Sequence, residues 1–254
     1  MNFLKKLKQL FYNPLRNKKK KFEEWVYHRI YIKKGKSIQY SDLSEGAVKN
    51  TKKLLYVGSG KSALEYKNHS LDGVDILAVN NSYRAFDCTI DYYLCSNDFP
   101  KNRRPQETQY KNILRKPDFF YGVLSHAKLF QLSFRPQVGK TIFLDGLYWA
   151  MAKGYSEIYL LGFDHDYNPE RVKKWQGKYI NDQEKLKKMF DGIEGDSFYG
   201  QNTPDPLRHG ENNLKLMFEN ANKHAIEYQS TIFNLSSKIS NFNVFKRASE
   251  INSK

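Results

Sequence analysis

Four short apolar runs in this chain stop abruptly at small polar residues, and that repeated boundary restricts the fold to an open, mostly parallel α/β sheet flanked by helices. Leu54-Leu55-Tyr56-Val57 leads into Gly58-Ser59-Gly60-Lys61-Ser62, Asp75-Ile76-Leu77-Ala78-Val79 into Asn80-Asn81-Ser82, Tyr92-Tyr93-Leu94-Cys95 into Ser96-Asn97-Asp98, and Ile158-Tyr159-Leu160-Leu161 into Gly162-Phe163-Asp164-His165. Near-continuous apolar runs of this length fit parallel strands covered on both faces. Parallel strands put their carboxyl ends along one edge, so the polar tails converge on one crevice, where such sheets bind ligands. A nucleotide-sized site is expected there.

At 254 residues, the chain suits one α/β domain, here residues 52–247, with a short tail. The formal net charge of +15 favours a polyanionic partner. Cys88 and Cys95 are too few for a disulfide framework and fit a reducing cytosol. Residues 1–35 form a separate basic segment, with Phe3, Leu4, Leu7, Leu10 and Phe11 at helical spacing against Lys5, Lys6 and Lys8. Lys18-Lys19-Lys20-Lys21 follows. Basic residues so placed contribute about 1 kcal/mol each on an anionic leaflet, so residues 1–22 are read as docking on the inner membrane face. A helix packed on its own domain explains the same pattern and stays open; nucleic acid is not expected, because the helix lacks a base-reading set.

Glycines after the first strand predict a turn whose amides, with a helix opening at Ser62-Ala63-Leu64, cradle a phosphate. A P-loop is excluded, because Leu55 stands where its first glycine belongs. Asn80 and Asn81 suit ribose hydroxyls or base edges, or a turn of unusual dihedrals. Residues 99–118 read as a loop, and Leu144–Lys153 as a helix closed by Gly154 ahead of a strand at Glu157. Residues 167–206 read as a lid with a short helix over Asp182–Phe190. A helix over Glu211–Tyr228 and a strand at Thr231-Ile232-Phe233 complete the pattern, and the last ten residues read as frayed. Asp164-His165-Asp166 would alternate sides of a strand end and so suits a metal poorly. Asp164 is expected to tie a neighbouring loop and His165 to face the ligand.

The order of three motifs resembles the bacterial sialyltransferases of glycosyltransferase family 42 and a related 6-hydroxymethylpterin diphosphokinase-like group. They are Val57-Gly58-Ser59-Gly60-Lys61-Ser62, Ala78-Val79-Asn80, and Gly154-Tyr155-Ser156-Glu157-Ile158-Tyr159-Leu160-Leu161-Gly162-Phe163-Asp164. The resemblance implies a single Rossmann-like (GT-A-like) sheet with a lid. It also implies nucleotide contacts from Gly58, Ser59, Gly60, Ser62, Asn80, Asn81, Ser96, Asn97, Thr141, Asp164 and His165, with no metal. His209, in Arg208-His209-Gly210-Glu211, matches the family's histidine base ahead of a helix. The family's leaving-phosphate tyrosines fall out of register, leaving Tyr167 and Tyr179, with Arg171, Lys173 and Lys174, as candidates. Ile142 replaces a serine of the family, which bears on the donor's identity.

The resulting expectation is a cytoplasmic, membrane-surface glycosyltransferase. It would move a sugar from a nucleotide donor, of the CMP-activated acidic class, to a glycan or glycolipid of the cell surface, such as lipopolysaccharide or capsule, with inversion. An acceptor hydroxyl must lose a proton as it attacks, and an imidazole can take it for about 10²–10⁴-fold in rate. Two other readings stay open: a Mg²⁺-dependent pterin-type pyrophosphokinase, and a non-enzymatic basic nucleotide- or nucleic-acid-binding module.

Overall fold

The computed structural model describes residues 52–96, 99–175, 182–195, 197–199, 205–237 and 244–251. The chain divides into Met1–Glu45 and Gly46–Lys254, and every described residue belongs to the second unit. The basic segment 1–35, Asn97 and Tyr179 lie outside the described residues.

One seven-stranded sheet organises the domain. Its strands are β1 (Lys53–Val57), β2 (Val74–Val79), β3 (Ile90–Leu94), β4 (Tyr110–Leu114), β5 (Glu157–Leu161), β6 (Thr231–Asn234) and β7 (Lys246–Arg247). They lie in the order β4-β3-β2-β1-β5-β6-β7, and every ladder between them is parallel. This is the expected Rossmann-like, helix-flanked sheet. Leu55 pairs with Ile76 on one side and Tyr159 on the other, so β1 is central and buried along its length. Each fully buried Leu or Ile contributes about 1.5–3 kcal/mol relative to exposure, which explains why the central strands carry unbroken apolar sequence. The chain winds outward from β1 to β4, then returns to add β5 on the opposite side. The reversal falls between β1 and β5.

Among the described residues five α-helices accompany the sheet: α1 (Val123–Leu129), α2 (Ile142–Ala152), α3 (Pro169–Lys174), α4 (Gln183–Met189) and α5 (Glu211–His224). Helix α2 is buried from Phe143 to Ala152, capped by the Thr141 side chain, which accepts from the Leu144 amide at 3.2 Å. Gly154, at φ 89°, turns the chain into β5. Because α2 and α5 precede parallel strands, their N-termini lie at the carboxyl edge of the sheet.

Five expectations are corrected. Residues 99–118 are not simply a loop, because Tyr110–Leu114 forms β4, an edge strand whose exposed Lys111 and Asn112 erase the apolar signal. The chain's end is not frayed throughout: β7 pairs with β6, and Phe245 and Ile251 are buried. The helix after β1 is a 3₁₀ segment, Lys61–Asn68, and α5 ends at His224. The 167–206 insertion holds two helices with apolar anchors: Leu186, Phe190 and Ile193 are buried, and wholly buried Arg171 lies over the Phe190 ring at 4.3 Å.

His126 on α1 is buried between Phe130 and Tyr228, at ring separations of 4.4 and 5.5 Å, and its Nδ1 has no hydrogen-bond partner among the described residues. Burial lowers its pKa from 6.5 to about 4. The unfolded chain therefore takes up this proton first, and stability present above pH 6.5 is lost as the pH falls towards 4. His165 titrates in the same window. His126→Phe is expected to flatten part of the acid-side fall in urea midpoint between pH 7 and about 4.5; an unchanged slope would contradict a neutral buried imidazole.

Candidate functional site

The turns after β1 and β5 are locked to each other where the sheet order reverses. Gly58 N–H donates to the Leu161 carbonyl at 2.8 Å and Gly60 N–H to the Gly162 carbonyl at 2.7 Å. Buried Asp164 fastens both turns: Oδ2 accepts from the Ser62 amide at 2.9 Å, and Oδ1 accepts from the Ser62 hydroxyl and, at 3.3 Å, from Ser236 Oγ beyond β6. Ser62 Oγ in turn accepts from the Gly162 amide at 2.8 Å. A Cβ on Gly60 would fall 2.5 Å from Asp164 Oδ2 and 2.9 Å from the Gly162 carbonyl oxygen. Glycine is required because one turn lies against another.

This geometry revises the role of the glycine turn. The amides of Gly58, Gly60, Ser62 and Ala63 all donate within the protein, the last to the Gly60 carbonyl at 3.0 Å. Gly58 and Ser62 are buried, whereas Ser59, Gly60 and Lys61 are half-buried. The 3₁₀ segment that follows also lacks the aligned peptides of an α-helix. The turn is thus a buttress with one half-open tip, and Asp164 binds loops, as expected for it. The 167–206 insertion reaches this tip: Ser197 bridges Gly60, Phe198 N–H donates to the Ser59 carbonyl at 3.2 Å, and Lys61 pairs with Glu194.

The tips of β2 and β3 are also laced together. Asn80 takes a left-handed φ of 49°, and its Oδ1 accepts from the Ser96 amide at 3.1 Å. Asn81 is buried, and Ser82 Oγ accepts from Val79 N–H while donating to the Val57 carbonyl, both at 2.7 Å. The structure therefore brings Asn80 and Ser96 together at the edge and turns Asn81 into the scaffold.

On the other flank stand the N-termini of α2 and α5. His209 ends a 3₁₀ turn, Asp205–His209, and its Nε2 lies 3.0 Å from the Lys140 carbonyl, one residue before the Thr141 cap. Asn213 Nδ2 donates to the His209 carbonyl at 3.0 Å. Phe143, in the first turn of α2, packs on Phe163 at 4.6 Å and on Phe218 of α5 at 4.7 Å. His165 completes this aromatic group, with Phe218 at 5.1 Å and Phe143 at 6.1 Å. It holds a left-handed φ of 47°, its Nδ1 lies 2.9 Å from the Tyr167 hydroxyl, and burial pushes its pKa down to about 4, leaving a neutral ring. A non-glycine residue at such a φ marks local strain, of the kind that clusters at ligand sites. Arg171 is wholly buried on Phe190, which removes it from the leaving-phosphate candidates; Lys173 and Lys174 are exposed.

Asp145 was not singled out by sequence, although it is the only charged residue of α2. Its Oδ1 accepts from the Gly139 amide, and burial raises its pKa from 3.8 to about 7. Among the described residues no group of three or more His, Cys, Asp or Glu side chains is placed to hold a metal ion. No helix among them is long and apolar enough to cross a membrane.

No protein-family model matches the chain, and no curated protein does. Among solved structures it is similar to the sialyltransferase CST-II in complex with trisaccharide acceptor and CMP, at 18% identity over 80% of this chain and 88% of that one, with a TM-score of 0.41. It is also similar to CstII from Campylobacter jejuni in complex with cytidine-5'-monophosphate, at 15% identity over 78% and 86% of the two chains, with a TM-score of 0.43. The monofunctional α-2,3-sialyltransferase Cst-I from Campylobacter jejuni gives 15% identity over 78% and 80%, with a TM-score of 0.40. Likeness at these scores transfers no residue role, and the fold rests on its own sheet order.

Asp164→Ala removes the acceptor from a buried amide and two hydroxyls, and is expected to destabilise the domain by about 2–4 kcal/mol in urea unfolding. A loss below about 0.5 kcal/mol, the usual range of surface substitutions, would show that the two turns do not depend on it.

Proposed function

We propose that this chain is a glycosyltransferase that moves a sugar from a nucleotide-activated donor, of the CMP-linked acidic class, onto a glycan acceptor with inversion. What supports this reading is one arrangement: half-buried polar groups after β1, β2, β3 and β5 share the carboxyl edge with His209 and Thr141 at the starts of two helices. Ligand crevices of open sheets lie at such an edge, where the strand order reverses. The motif resemblance supplies the donor class, and the excess of basic residues suits an anionic donor.

In this reading Ser59, Gly60, Asn80, Ser96 and Thr141 meet the nucleotide, and Asn97 and Tyr179 belong to the same expectation. Gly58, Ser62, Asn81 and Asp164 act from beneath, as the frame that fixes those contacts. His209 takes the proton of the acceptor hydroxyl as its oxygen attacks the anomeric carbon, while the bond from that carbon to the phosphate oxygen breaks and CMP departs. The Tyr167 hydroxyl, steadied by His165, donates to the leaving phosphate, where negative charge develops. Residues 1–22 hold the enzyme on an anionic cytoplasmic membrane surface, close to a glycolipid acceptor of lipopolysaccharide or capsule type. The pyrophosphokinase reading gains nothing from the geometry, because the Asp164 oxygens it would spend on Mg²⁺ already accept three hydrogen bonds. A basic binding module without catalysis would not need a histidine at this edge.

Three outcomes test the proposal. Thermal-shift screening against CMP, UDP, GDP and ATP is expected to show selective stabilisation by CMP in the presence of EDTA; stabilisation confined to ATP with Mg²⁺ would reverse the assignment. His209→Ala is expected to lower kcat by about 10²–10⁴-fold with nucleotide affinity retained, and unaltered turnover would remove the base from the mechanism. Deleting residues 1–22 is expected to abolish salt-sensitive flotation with anionic liposomes, and persistent flotation would assign the membrane contact elsewhere.

A further inference from the structure

Asp145 is buried near the start of α2, where its carboxylate accepts from the Gly139 amide and where the Tyr56 hydroxyl of β1 donates to the neighbouring Ile142 and Phe143 carbonyls at 3.0 and 3.2 Å. Gly139 itself holds a left-handed φ of 78°, and a Cβ there would meet the Phe120 ring at 2.7 Å. The bend it makes presents the next carbonyl, that of Lys140, to His209 Nε2 at 3.0 Å. Thr141 then caps α2. A single short path therefore runs from a buried carboxylate, through one amide and one carbonyl, to the imidazole.

A carbonyl oxygen only accepts hydrogen bonds, so the nitrogen facing it must carry the proton. Arg208 Nε lies 3.4 Å from the same Nε2, but a bare nitrogen there would set its lone pair against the carbonyl's at shorter range. The protonated Nε2 takes the carbonyl, and Arg208 reaches that oxygen through Nη2 at 3.5 Å. Nδ1 is then the basic nitrogen of the neutral ring.

We propose that Asp145 is a positioning residue that, through Gly139 and the Lys140 carbonyl, holds His209 with its proton on Nε2 and leaves Nδ1 to accept the proton of the attacking hydroxyl. This rests on the reading of His209 as base. During transfer the hydroxyl proton passes to Nδ1 while the oxygen bonds the anomeric carbon and the phosphate oxygen leaves with the electron pair of the broken bond. The imidazolium keeps its Nε2–H on Lys140. Charge forming on the ring is thus met by a carbonyl dipole already in place.

The test uses the full chain labelled with ¹⁵N-histidine, the His209 signals being assigned by their loss in His209→Gln. Long-range ¹H–¹⁵N spectra are expected to show the Nε2-protonated tautomer for wild type and for Asp145→Asn, whose side-chain oxygen still accepts from Gly139. In Asp145→Ala the tautomers are expected to mix and kcat to fall about 10²-fold with an unchanged donor KM, with most of the rate restored in Asp145→Asn. A wild-type His209 protonated on Nδ1 would overturn the proposal whether or not Asp145→Ala folds. So would an Asp145→Ala protein with the wild-type tautomer and kcat. Full turnover by His209→Ala would instead refute the base itself, while the tautomer spectra would still decide what Asp145 holds.

Discussion

A single carboxylate, Asp164, determines how the central edge of this sheet is built. It accepts from the Ser62 amide and hydroxyl and from Ser236, and so joins the segments that follow β1, β5 and β6. Open sheets pull apart at the point where strand order reverses, because successive connections there leave in opposite directions. Here the gap is spanned by turn-to-turn hydrogen bonds from Gly58 and Gly60, made at a distance only glycine permits. Beside this latch, the tips at Ser59 and Gly60, the Asn80–Ser96 pair and the Thr141 cap of α2 stay half-buried.

Groups that hold the edge and groups that can meet a ligand are thereby separated. Ser62, Ser82 and Asp164 are buried and committed to neighbours and Asn81 is buried, whereas Ser59, Asn80, Ser96, Thr141, His165 and His209 are half-buried. The aromatic group of Phe143, Phe163, Phe218 and His165 lies between the latch and the helix N-termini, where its packing transmits position from one to the other. Two left-handed residues, Asn80 and His165, sit at this edge, as expected if the edge is shaped for a ligand at some cost in backbone energy.

Strands β1, β2, β3 and β5 could be read directly because burial on both faces demands unbroken apolar sequence, and α2 because its apolar spacing ends at Gly154, although it starts at Ile142, two residues before the expected Leu144. β4 could not, since an edge strand that exposes Lys111 and Asn112 has the composition of a loop. Arg171 was a candidate for the leaving phosphate and is sealed against Phe190 of another segment, a tertiary contact that local pattern does not encode. The glycine turn was legible but its packing was not: the Gly58 and Gly60 amides donate to the turn after β5, a contact that only the strand order reveals. Asp145 left a trace, a lone acid within an apolar helix, whose meaning depends on a partner in the preceding loop.

If the proposed function holds, the carboxyl edge around the Asp164 latch is the nucleotide site. This is tested most directly by titrating the ¹⁵N-labelled protein with CMP and mapping the amide shifts onto the sheet. The largest shifts are expected to cluster at residues 59–61, 80, 96, 141, 165 and 209. Saturable shifts confined to the opposite edge, around the first residues of the strands, would contradict it.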